Sequence, residues 1–354
     1  MKKIVIFGST GSIGTSLLGI IKKDKNAFNI ELLTAHKNYK KLIKQAKTFN
    51  VKKIILTDNN SFLIAAKLLK NSKIKVFKSF DSLNKIFNKN KKIDYAMCAI
   101  SGFEGLKPTL DIIKYTKTIA IANKESIICG WCLIKKSLKR YKTYFIPVDS
   151  EHFSIWSLID INKKKNFEKI YITASGGPFR EFPITKFKYV SIKDALNHPN
   201  WSMGKKISVD SATMMNKVFE IIEAKKIFDL NYKQLEILIH PKSYLHAIVK
   251  FNNGLSKLLI HDTNMRIPIF NSIYLNSDKK IKSKKIDIKI LNNLDLKKVD
   301  KIRFPVVKIL NKMQDKDSLF ETIIVSANDK LVKLFLSGKI RFTDISNILL
   351  KICN

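Results

Sequence analysis

The chain has 354 residues, 45% of them hydrophobic, and its 66 lysines and arginines against 29 acidic residues give a formal net charge of +37. This length exceeds what one ordinary core organises, so we expect two or three globular domains. No apolar run is long enough to cross a bilayer, and the first one ends at Gly8, too early for a signal peptide, so we expect a soluble cytoplasmic protein with no membrane partner.

The excess of positive charge is almost entirely lysine. Only five of the 66 basic residues are arginines, at positions 140, 180, 266, 303 and 341. Arginine is the residue that favours base readout and bidentate phosphate capture, and the lysines are spread over nearly every segment. We therefore interpret the charge as solvated surface with no specific nucleic-acid partner. A nucleic-acid-binding protein that exploits this charge is an alternative.

The first expected elements are a short apolar strand, Lys3–Phe7, and a helix, Ser12–Lys22. The glycine-rich turn Gly8-Ser-Thr-Gly11-Ser-Ile-Gly14 joins them. Glycines permit close backbone approach, and the helix N-terminus offers N–H groups and a positive dipole end to a pyrophosphate. The succession of strand, glycine-rich turn and helix therefore predicts a dinucleotide-binding turn, with a plain turn as the alternative.

The next expected strand, Ile30–Ala35, runs into His36-Lys37-Asn38. NAD-binding sheets usually place an acidic residue here to hold the ribose 2′-hydroxyl. The sequence has no carboxylate at this point to repel a 2′-phosphate, and the basic pair could bind one. It therefore predicts NADP(H) rather than NAD(H), unless Lys37 is simply one more surface lysine.

Further apolar runs alternate with lysine-rich amphipathic segments, which predicts an α/β fold with a parallel, doubly wound, Rossmann-like sheet. The remaining strands of this sheet are expected at Lys53–Thr57, Tyr95–Ile100, Thr118–Ala122 and Tyr144–Val148. Cys129 and Cys132 have the spacing of a redox pair or half a zinc site. No second pair completes such a site, so we expect two reduced thiols on a partly buried helix.

Asp149 and Glu151 follow the last strand of this sheet, at the edge where ligands bind in open α/β folds. Residues two apart point the same way in extended chain, so both carboxylates could face one cleft. Glu220 lies on a helix expected over about Ala212–Phe228, on a face shared with Asn216 and Lys217. Three carboxylates without His or Cys partners suit Mg²⁺ or Mn²⁺, although acidic residues more often mark solvated faces.

After Pro147 the pattern changes to an α+β domain. Its strands are expected at Lys169–Ala174 and, with an antiparallel appearance, at Leu235–Ile239, Leu245–Phe251 and Leu255–His261. A lysine-rich linker is expected near Asn276–Lys289, and the remainder to Asn354 has a helical pattern. The predicted domains are 1–148 for the cofactor, 149–275 for catalysis, metal and dimerisation, 276–298 as linker, and 299–354 as a shortened helical domain.

Two polar stretches of the second half are suited to an anionic substrate. Ser175-Gly-Gly-Pro178 and the residues Ser211, Asn216 and Lys217 around a helix start could donate hydrogen bonds to a phosphate. His198 precedes Pro-Asn-Trp-Ser-Met-Gly204, whose composition fits a lid that excludes water. His198 could instead be a capping residue and Trp201 a core residue.

Several long segments together resemble the 1-deoxy-D-xylulose 5-phosphate reductoisomerase family. They occur in family order and are Gly8–Gly14, Ala122-Asn-Lys-Glu-Ser126, Pro147-Val-Asp-Ser-Glu-His152, Ser175-Gly-Gly-Pro-Phe-Arg180, His198–Glu223 and Ile239-His-Pro-Lys-Ser243. The resemblance implies a homodimeric enzyme that isomerises a phosphorylated ketose with a divalent metal and then reduces it with NADPH. The product would be the isoprenoid precursor 2-C-methyl-D-erythritol 4-phosphate. An NADP-dependent dehydrogenase of another two-domain type is the alternative.

The resemblance also implies roles by position. Lys124 and Glu151 would be catalytic, and Asp149, Glu151 and Glu220 would bind the metal. Substrate would contact Lys124, Ser150, Glu151, Ser175, His198, Trp201, Ser211, Asn216, Lys217 and Glu220. NADPH would contact Thr10, Gly11, Ser12, Ile13, Lys37, Asn38, Asn123, Glu125 and Gly204. Pro199–Gly204 would be a flexible flap over the substrate.

Three departures from the family pattern stand out. His36 replaces a small glycine and could shift affinity for the adenosine phosphate, and Val218 replaces another glycine. The sequence ends soon after Asp344, where the family's final helical domain continues. We expect that last difference to lower stability rather than to change the chemistry.

Overall fold

A computed structural model describes residues 1–159, 166–201, 203–275, 277–316 and 318–353. Asn276 of the expected linker and Ser202 of the expected flap lie outside these residues. Contacts divide the chain into two compact units, one formed by 1–149 and 265–281 and the other by 150–264 and 282–354. The four domain boundaries drawn from the sequence stay a prediction.

The strands and helices are numbered along the chain. The strands are β1 Lys2–Phe7, β2 Phe28–Ala35, β3 Lys53–Leu56, β4 Lys75–Phe77, β5 Ile93–Cys98, β6 Thr116–Ile121, β7 Tyr144–Pro147, β8 Phe167–Ala174, β9 Leu235–Ile239, β10 Leu245–Phe251, β11 Ser256–Ile260 and β12 Lys297–Lys298. The α-helices are α1 Ser12–Ile21, α2 Tyr39–Thr48, α3 Asn59–Leu68, α4 Leu83–Ile86, α5 Leu106–Ile113, α6 Lys124–Tyr141, α7 Ser150–Leu158, α8 Ile192–Leu196, α9 Lys205–Thr213, α10 Met215–Phe228, α11 Arg266–Ile273, α12 Ile288–Asn292, α13 Phe320–Leu336 and α14 Phe342–Ile352. Six 3₁₀ segments join them among the described residues, at Lys22–Ala27, Phe80–Ser82, Phe103–Gly105, Ile184–Tyr189, Tyr232–Gln234 and Pro305–Lys312.

The first unit is built on a seven-stranded sheet with the order β4-β3-β2-β1-β5-β6-β7. All of its neighbouring strands are parallel. The chain works outward from β1 in one direction and then restarts beside β1 with β5, so the topological switch point lies between these two strands, where open α/β sheets bind ligands. The expected Rossmann-like α/β fold is confirmed. Only the edge strand β4 was not anticipated, because three residues with little buried apolar surface leave too short a pattern.

The core of the first unit includes a helix from a distant part of the chain. Strand β1 is buried from Ile4 to Phe7, as expected for a central parallel strand. Helix α11 adds Ile269, Phe270 and Ile273 to the hydrophobic cluster that α1 and β1 form. The Tyr95 hydroxyl reaches the Ser272 hydroxyl at 2.7 Å in this buried layer. Residues beyond 264 therefore complete a sheet whose strands end before 149.

The second unit carries a five-stranded sheet with the order β11-β10-β8-β9-β12. Strand β9 pairs in parallel with β8, whereas β10 is antiparallel to both β8 and β11. The expected antiparallel arrangement holds for β10 and β11, and β9 pairs antiparallel with β12. The parallel pairing of β9 with β8 was not expected, and it arises because α9 and α10 return the chain to the starting edge before β9 begins. Pattern alone gives a strand but not its direction.

The long helix expected over Ala212–Phe228 is in fact two helices. Met214 takes a left-handed conformation with φ +67°, so α9 ends at Thr213 and α10 begins at Met215. Most of α10 is buried, including its charged residues Lys217, Glu220 and Glu223. A buried charged helix needs internal partners, and the site described next provides them.

The helical pattern expected for the end of the chain is found in α13 and α14. Helices α13 and α14 bury one face each, and Phe342 packs edge-on against Phe179 with ring centroids 4.9 Å apart. Within the described ranges, no helix is both long enough and apolar enough to span a membrane.

Candidate active site

The glycine-rich turn stands at the switch point of the first unit. Gly8 has φ +73°, and a Cβ there would lie 2.5 Å from the Ala99 carbonyl oxygen, so only glycine fits between the ends of β1 and β5. Its N–H donates to the Thr34 hydroxyl at 3.0 Å. Gly11 occupies the N-cap of α1, and the first turn of α1 carries no acidic residue. The amide groups at this end are therefore free of competing negative charge, which suits a pyrophosphate.

The end of β2 carries the basic pair expected to recognise a 2′-phosphate. His36, Lys37 and Asn38 are all exposed. The Asn38 side chain accepts from the Lys41 N–H at 3.1 Å and caps α2. The end of β2 therefore carries an imidazole (His36), an ammonium group (Lys37) and a capping amide (Asn38), and none of the three is acidic.

One carboxylate near this pair was missed from the sequence. Asp58 follows β3, and hydrogen bonds from Ser61 lower its pKa first, with the charges of Lys37 and His36 adding to the effect. The two Ser61 bonds, from the N–H at 3.0 Å and the hydroxyl at 2.8 Å, occupy one oxygen of Asp58 as the cap of α3. Asp58 lies near His36 and Lys37 because β3 is the sheet neighbour of β2, and this strand order cannot be read from the sequence.

The start of α6 supports the same edge of the first unit. The Asn123 side chain caps α6 by accepting from the Ser126 N–H at 2.5 Å, and its amide donates to the carbonyls of Ile100 and Gly102. Asn123 and Glu125 are both buried. Asn123 therefore fixes the loop after β5 to the start of α6.

Lys124 and Asp149 form an ion pair within the first unit. Their side chains are 9% and 19% exposed, so both charges are largely withdrawn from water. A lysine and a carboxylate held this way compensate each other's charge. Asp149 ends the first segment of this unit, 1–149, and Ser150 is the first residue of the second unit.

A buried charge cluster lies at the heart of the second unit. The Lys217 ammonium contacts an oxygen of Glu151 and, at 2.6 Å, the Oε2 atom of Glu220. The Asn216 side-chain amide donates to the other oxygen of Glu220, and the Ser150 hydroxyl donates to Glu151 at 2.5 Å. Glu220 is 1% exposed and Glu151 9%. Two carboxylates thus converge on one positive centre, and carboxylate oxygens are also the ligands that Mg²⁺ takes.

This convergence arises differently from the way the sequence suggested. Ser150 and Glu151 begin helix α7, so Asp149 and Glu151 are not two positions of an extended strand, and that argument for a shared direction was wrong. The spacing on α10 was right, because Lys217 and Glu220 meet at i, i+3 and Asn216 and Glu220 at i, i+4.

Electrostatics keep Lys217 charged. Burial would lower its pKa, but the carboxylates of Glu151 and Glu220 outweigh burial and raise that pKa above the ordinary lysine value. Removing one partner of such a buried set is strongly destabilising, because a charge is left uncompensated. Altering one member of this cluster therefore carries a structural cost.

A second polar group surrounds Ser175, just past β8. The Ser175 hydroxyl lies 3.2 Å from Nε2 of His198 and accepts from the Gly177 N–H at 3.1 Å. Burial, and next the Lys217 charge, lower the pKa of His198 to about 4, so the imidazole is neutral near pH 7. The Gly177 backbone lies against the Ser211 carbonyl, which brings the serine turn next to α9.

The expected flap precedes α9, whose N-cap is Gly204. Trp201 is partly buried and contacts His246 edge-on, with ring centroids 6.4 Å apart. His246 in turn stacks on His261 with ring centroids 3.7 Å apart. Trp201 therefore sits against a layer of imidazoles rather than in an aliphatic core.

Comparison with known proteins identifies the family. Residues 4–130 match the model of 1-deoxy-D-xylulose 5-phosphate reductoisomerase, residues 145–228 its C-terminal domain, and residues 261–354 the DXP reductoisomerase C-terminal domain. The 1-deoxy-D-xylulose 5-phosphate reductoisomerase of Pelagibacter ubique is 80% identical over 354 residues, which is 100% of this chain and 91% of that protein. The chain belongs to the 1-deoxy-D-xylulose 5-phosphate reductoisomerase family.

Solved reductoisomerase structures share the fold of the whole chain. The Zymomonas mobilis enzyme in complex with NADPH superposes with a TM-score of 0.89 at 33% identity, covering 99% of this chain and 90% of that one. A reductoisomerase in complex with NADPH, fosmidomycin and magnesium gives a TM-score of 0.90 at 31% identity, covering 100% and 89%. The resemblance read from the sequence is confirmed.

The reductoisomerase residues expected from the sequence fall into separate groups within the two units. Those of the first unit are Thr10, Gly11, Ser12, Ile13, Lys37, Asn38, Asn123, Lys124, Glu125 and Asp149. Those of the second are Ser150, Glu151, Ser175, His198, Trp201, Gly204, Ser211, Asn216, Lys217 and Glu220. Their roles stay predictions.

Proposed function

We infer that this chain catalyses the NADPH- and divalent-metal-dependent conversion of 1-deoxy-D-xylulose 5-phosphate into 2-C-methyl-D-erythritol 4-phosphate. The carbon skeleton is first isomerised and the resulting aldehyde is then reduced. Membership of the family over the whole chain carries this conclusion, and the buried carboxylates of Glu151 and Glu220 around one positive centre support it. The product is a precursor of isoprenoids.

The phosphate of the substrate would be held by the second unit. The Ser175 hydroxyl, the His198 ring and the polar groups of Ser211, Asn216 and Lys217 supply hydrogen bonds and one permanent positive charge. Such charge-assisted hydrogen bonds are about twice as strong as neutral ones. The low pKa of His198 means that it acts as a neutral donor rather than as a second cation.

Asp149, Glu151 and Glu220 would hold Mg²⁺ or Mn²⁺. The donor set fits, because hard dications take carboxylate oxygens and the place between Glu151 and Glu220 already attracts the Lys217 ammonium. When bound, the metal polarises the carbonyl and hydroxyl oxygens of the substrate and stabilises negative charge during rearrangement. Ser150 orients Glu151 through its hydrogen bond, and Lys124 would lie near the reacting oxygens and supply a proton or a positive charge to them.

NADPH would bind along the first unit and supply the hydride. The turn Gly8–Gly14 and the N-terminus of α1 fit the pyrophosphate, and Lys37 fits the 2′-phosphate. Thr10, Gly11, Ser12, Ile13, Asn38, Asn123, Glu125 and Gly204 complete the proposed contacts. A homodimer in the cytoplasm, without a specific nucleic-acid or membrane partner, is part of the same proposal and rests on the family.

The test measures NADPH oxidation at 340 nm with 1-deoxy-D-xylulose 5-phosphate, with and without Mg²⁺ or Mn²⁺. The expected result is turnover that a chelator abolishes and added metal restores. Glu220→Gln should lose at least about a hundredfold in kcat/KM, because a buried ligand charge is removed. Glu321→Gln is the matched control, since Glu321 is a buried, lysine-paired glutamate of α13 that has no role in the proposal.

Glu321→Gln should keep its kcat/KM and metal response even if its melting temperature falls. Metal-independent NADPH oxidation with other carbonyl substrates would replace the proposal by a plain dehydrogenase. Normal turnover in Glu220→Gln would remove this residue from the metal set.

A further inference from the structure

The turn formed by His240, Pro241, Lys242 and Ser243, called here the latch turn, has no role in the chemistry described above. Yet it joins β9 to β10 beside the Ser175 turn, and the His240 N–H donates to the Ala174 carbonyl at 2.7 Å. The His240 side chain also bonds the Leu294 carbonyl, and the Ser243 N–H donates to the His240 carbonyl at 3.0 Å. The latch turn is therefore fixed at its first residue, His240, and closed by a hydrogen bond within the turn.

One flap residue contacts the latch turn directly. The Asn200 side-chain amide donates to the Pro241 carbonyl at 2.7 Å and to the Ser243 hydroxyl at 2.9 Å. Both protons of this amide are thus used on two acceptors of one rigid turn. Ser243 is 7% exposed and has a left-handed backbone with φ +51°, a strained conformation for a serine.

The same flap segment determines the tautomer of His198. The N–H groups of Asn200 and Trp201 donate to Nδ1 of His198 at 3.1 and 3.0 Å. A ring nitrogen that accepts two hydrogen bonds carries no proton, so the proton of the neutral ring is on Nε2. Nε2 then donates to the Ser175 hydroxyl, which also accepts from Gly177, and the Ser175 proton is left to point at a ligand oxygen.

We propose that Asn200 is a positioning residue whose side chain anchors the flap to the latch turn, and thereby holds His198 and Ser175 in the donor arrangement that receives the substrate phosphate. The proposal rests on the proposed function for the identity of the ligand. The anchor itself is a property of the free protein and can be tested without substrate.

The first test follows amide hydrogen exchange by NMR in the protein without ligand. Asn200→Leu keeps the side-chain size and removes both donors, so the Asn200-position and Trp201 N–H groups should exchange about tenfold faster, as expected for two lost hydrogen bonds. Asn252→Leu is the matched control. Asn252 also uses its side-chain amide, on Asn166 at 2.8 Å, but follows the opposite end of β10.

Unchanged protection of both amides in Asn200→Leu would overturn the proposal, whether or not the protein turns over substrate. Ser243→Ala provides a second variant that leaves the flap sequence intact. It removes one of the two acceptors and should raise the exchange rate by a smaller factor, about threefold.

The second test separates positioning from general loss of structure. A weaker anchor should raise KM for 1-deoxy-D-xylulose 5-phosphate about tenfold in Asn200→Leu while kcat changes less than about threefold, because the phosphate is held in ground and transition state alike. Partial unfolding would instead lower kcat at constant KM. A fall in kcat alone, or an equal effect in Asn252→Leu, would count against the anchor.

Discussion

Gly14 offers a sharp test of how the cofactor end of the first unit is built. A Cβ at this position would lie 2.5 Å from Cα of Ser9 and 2.6 Å from the carbonyl oxygen of Gly8. Both are backbone atoms of the glycine turn, so no side-chain rotation can relieve the contact. The Gly14→Ala protein must move α1 away from the turn by about half an ångström or more.

Two effects of opposite sign decide the magnitude. Alanine in a helix interior is favoured over glycine by about 1 kcal/mol. Overpacking a buried contact costs about 1–3 kcal/mol, and this contact is at its severe end because real Cβ atoms do not approach below 3.0 Å. We expect a net loss of about 1–2 kcal/mol in the free energy of unfolding. Displacing the N-terminus of α1 should also weaken NADPH binding by about a hundredfold.

Gly19→Ala is the matched control in the same helix. A Cβ at Gly19 meets nothing within 4 Å, so this variant should gain up to about 1 kcal/mol and bind NADPH normally. Denaturant unfolding gives the stabilities, and NADPH fluorescence gives the dissociation constants. If Gly14→Ala matched Gly19→Ala in both the free energy of unfolding and the NADPH dissociation constant, the close approach of α1 to the turn would not contribute to stability or binding.

Three further outcomes are expected. Lys37→Ala should raise KM for NADPH about tenfold and leave weak NADH use unchanged, because only the 2′-phosphate contact is lost; equal effects on both cofactors in the turnover assay would refute this. The His198 ring should titrate near pH 4 by NMR rather than near 6.5, since burial and then the Lys217 charge lower its pKa to about 4. Because the unfolded chain takes up this proton near pH 6.5 and the folded chain only near pH 4, the neutral ring stabilises the fold fully above pH 6.5. This stabilisation is lost as the pH falls from 6.5 toward 4, and a His198 titration midpoint above pH 6 would contradict the expectation. With a thiol reagent at pH 8 the exposed Cys132 should react at once, whereas Cys98, whose pKa burial raises to about 12, should react only on unfolding; early modification of Cys98, seen by mass spectrometry, would show that it is accessible.

Much of the first unit could be predicted from sequence because its rules are local. The alternation of apolar runs and lysine-rich helices gave six of the seven sheet strands, and the turn Gly8–Gly14 follows β1 as expected. A glycine with φ +73° and a helix start are short-range features that a sequence shows directly.

The parts that escaped prediction depend on tertiary context. Met214 has no sequence feature of a helix breaker, yet its left-handed backbone separates α9 from α10. The direction of β9 follows from where the chain re-enters the sheet, which no hydrophobic pattern encodes. Glu151 shares a lysine with Glu220 across 69 residues of sequence because α7 and α10 pack together. Residue type suggested that these carboxylates could share a metal, but no local pattern shows that they meet on Lys217.

The return of the chain to the first unit at α11 has a consequence during synthesis. A nascent polypeptide that has emerged only as far as residue 149 has all seven parallel strands but lacks Ile269, Phe270 and Ile273, so the apolar surface of α1 that they cover is open to water. The nucleotide-binding half can therefore reach its final form only after more than a hundred intervening residues have left the ribosome. A fragment that ends near residue 149 would expose this apolar surface and tend to aggregate. A fusion that appends 265–281 through a flexible linker would bury it again.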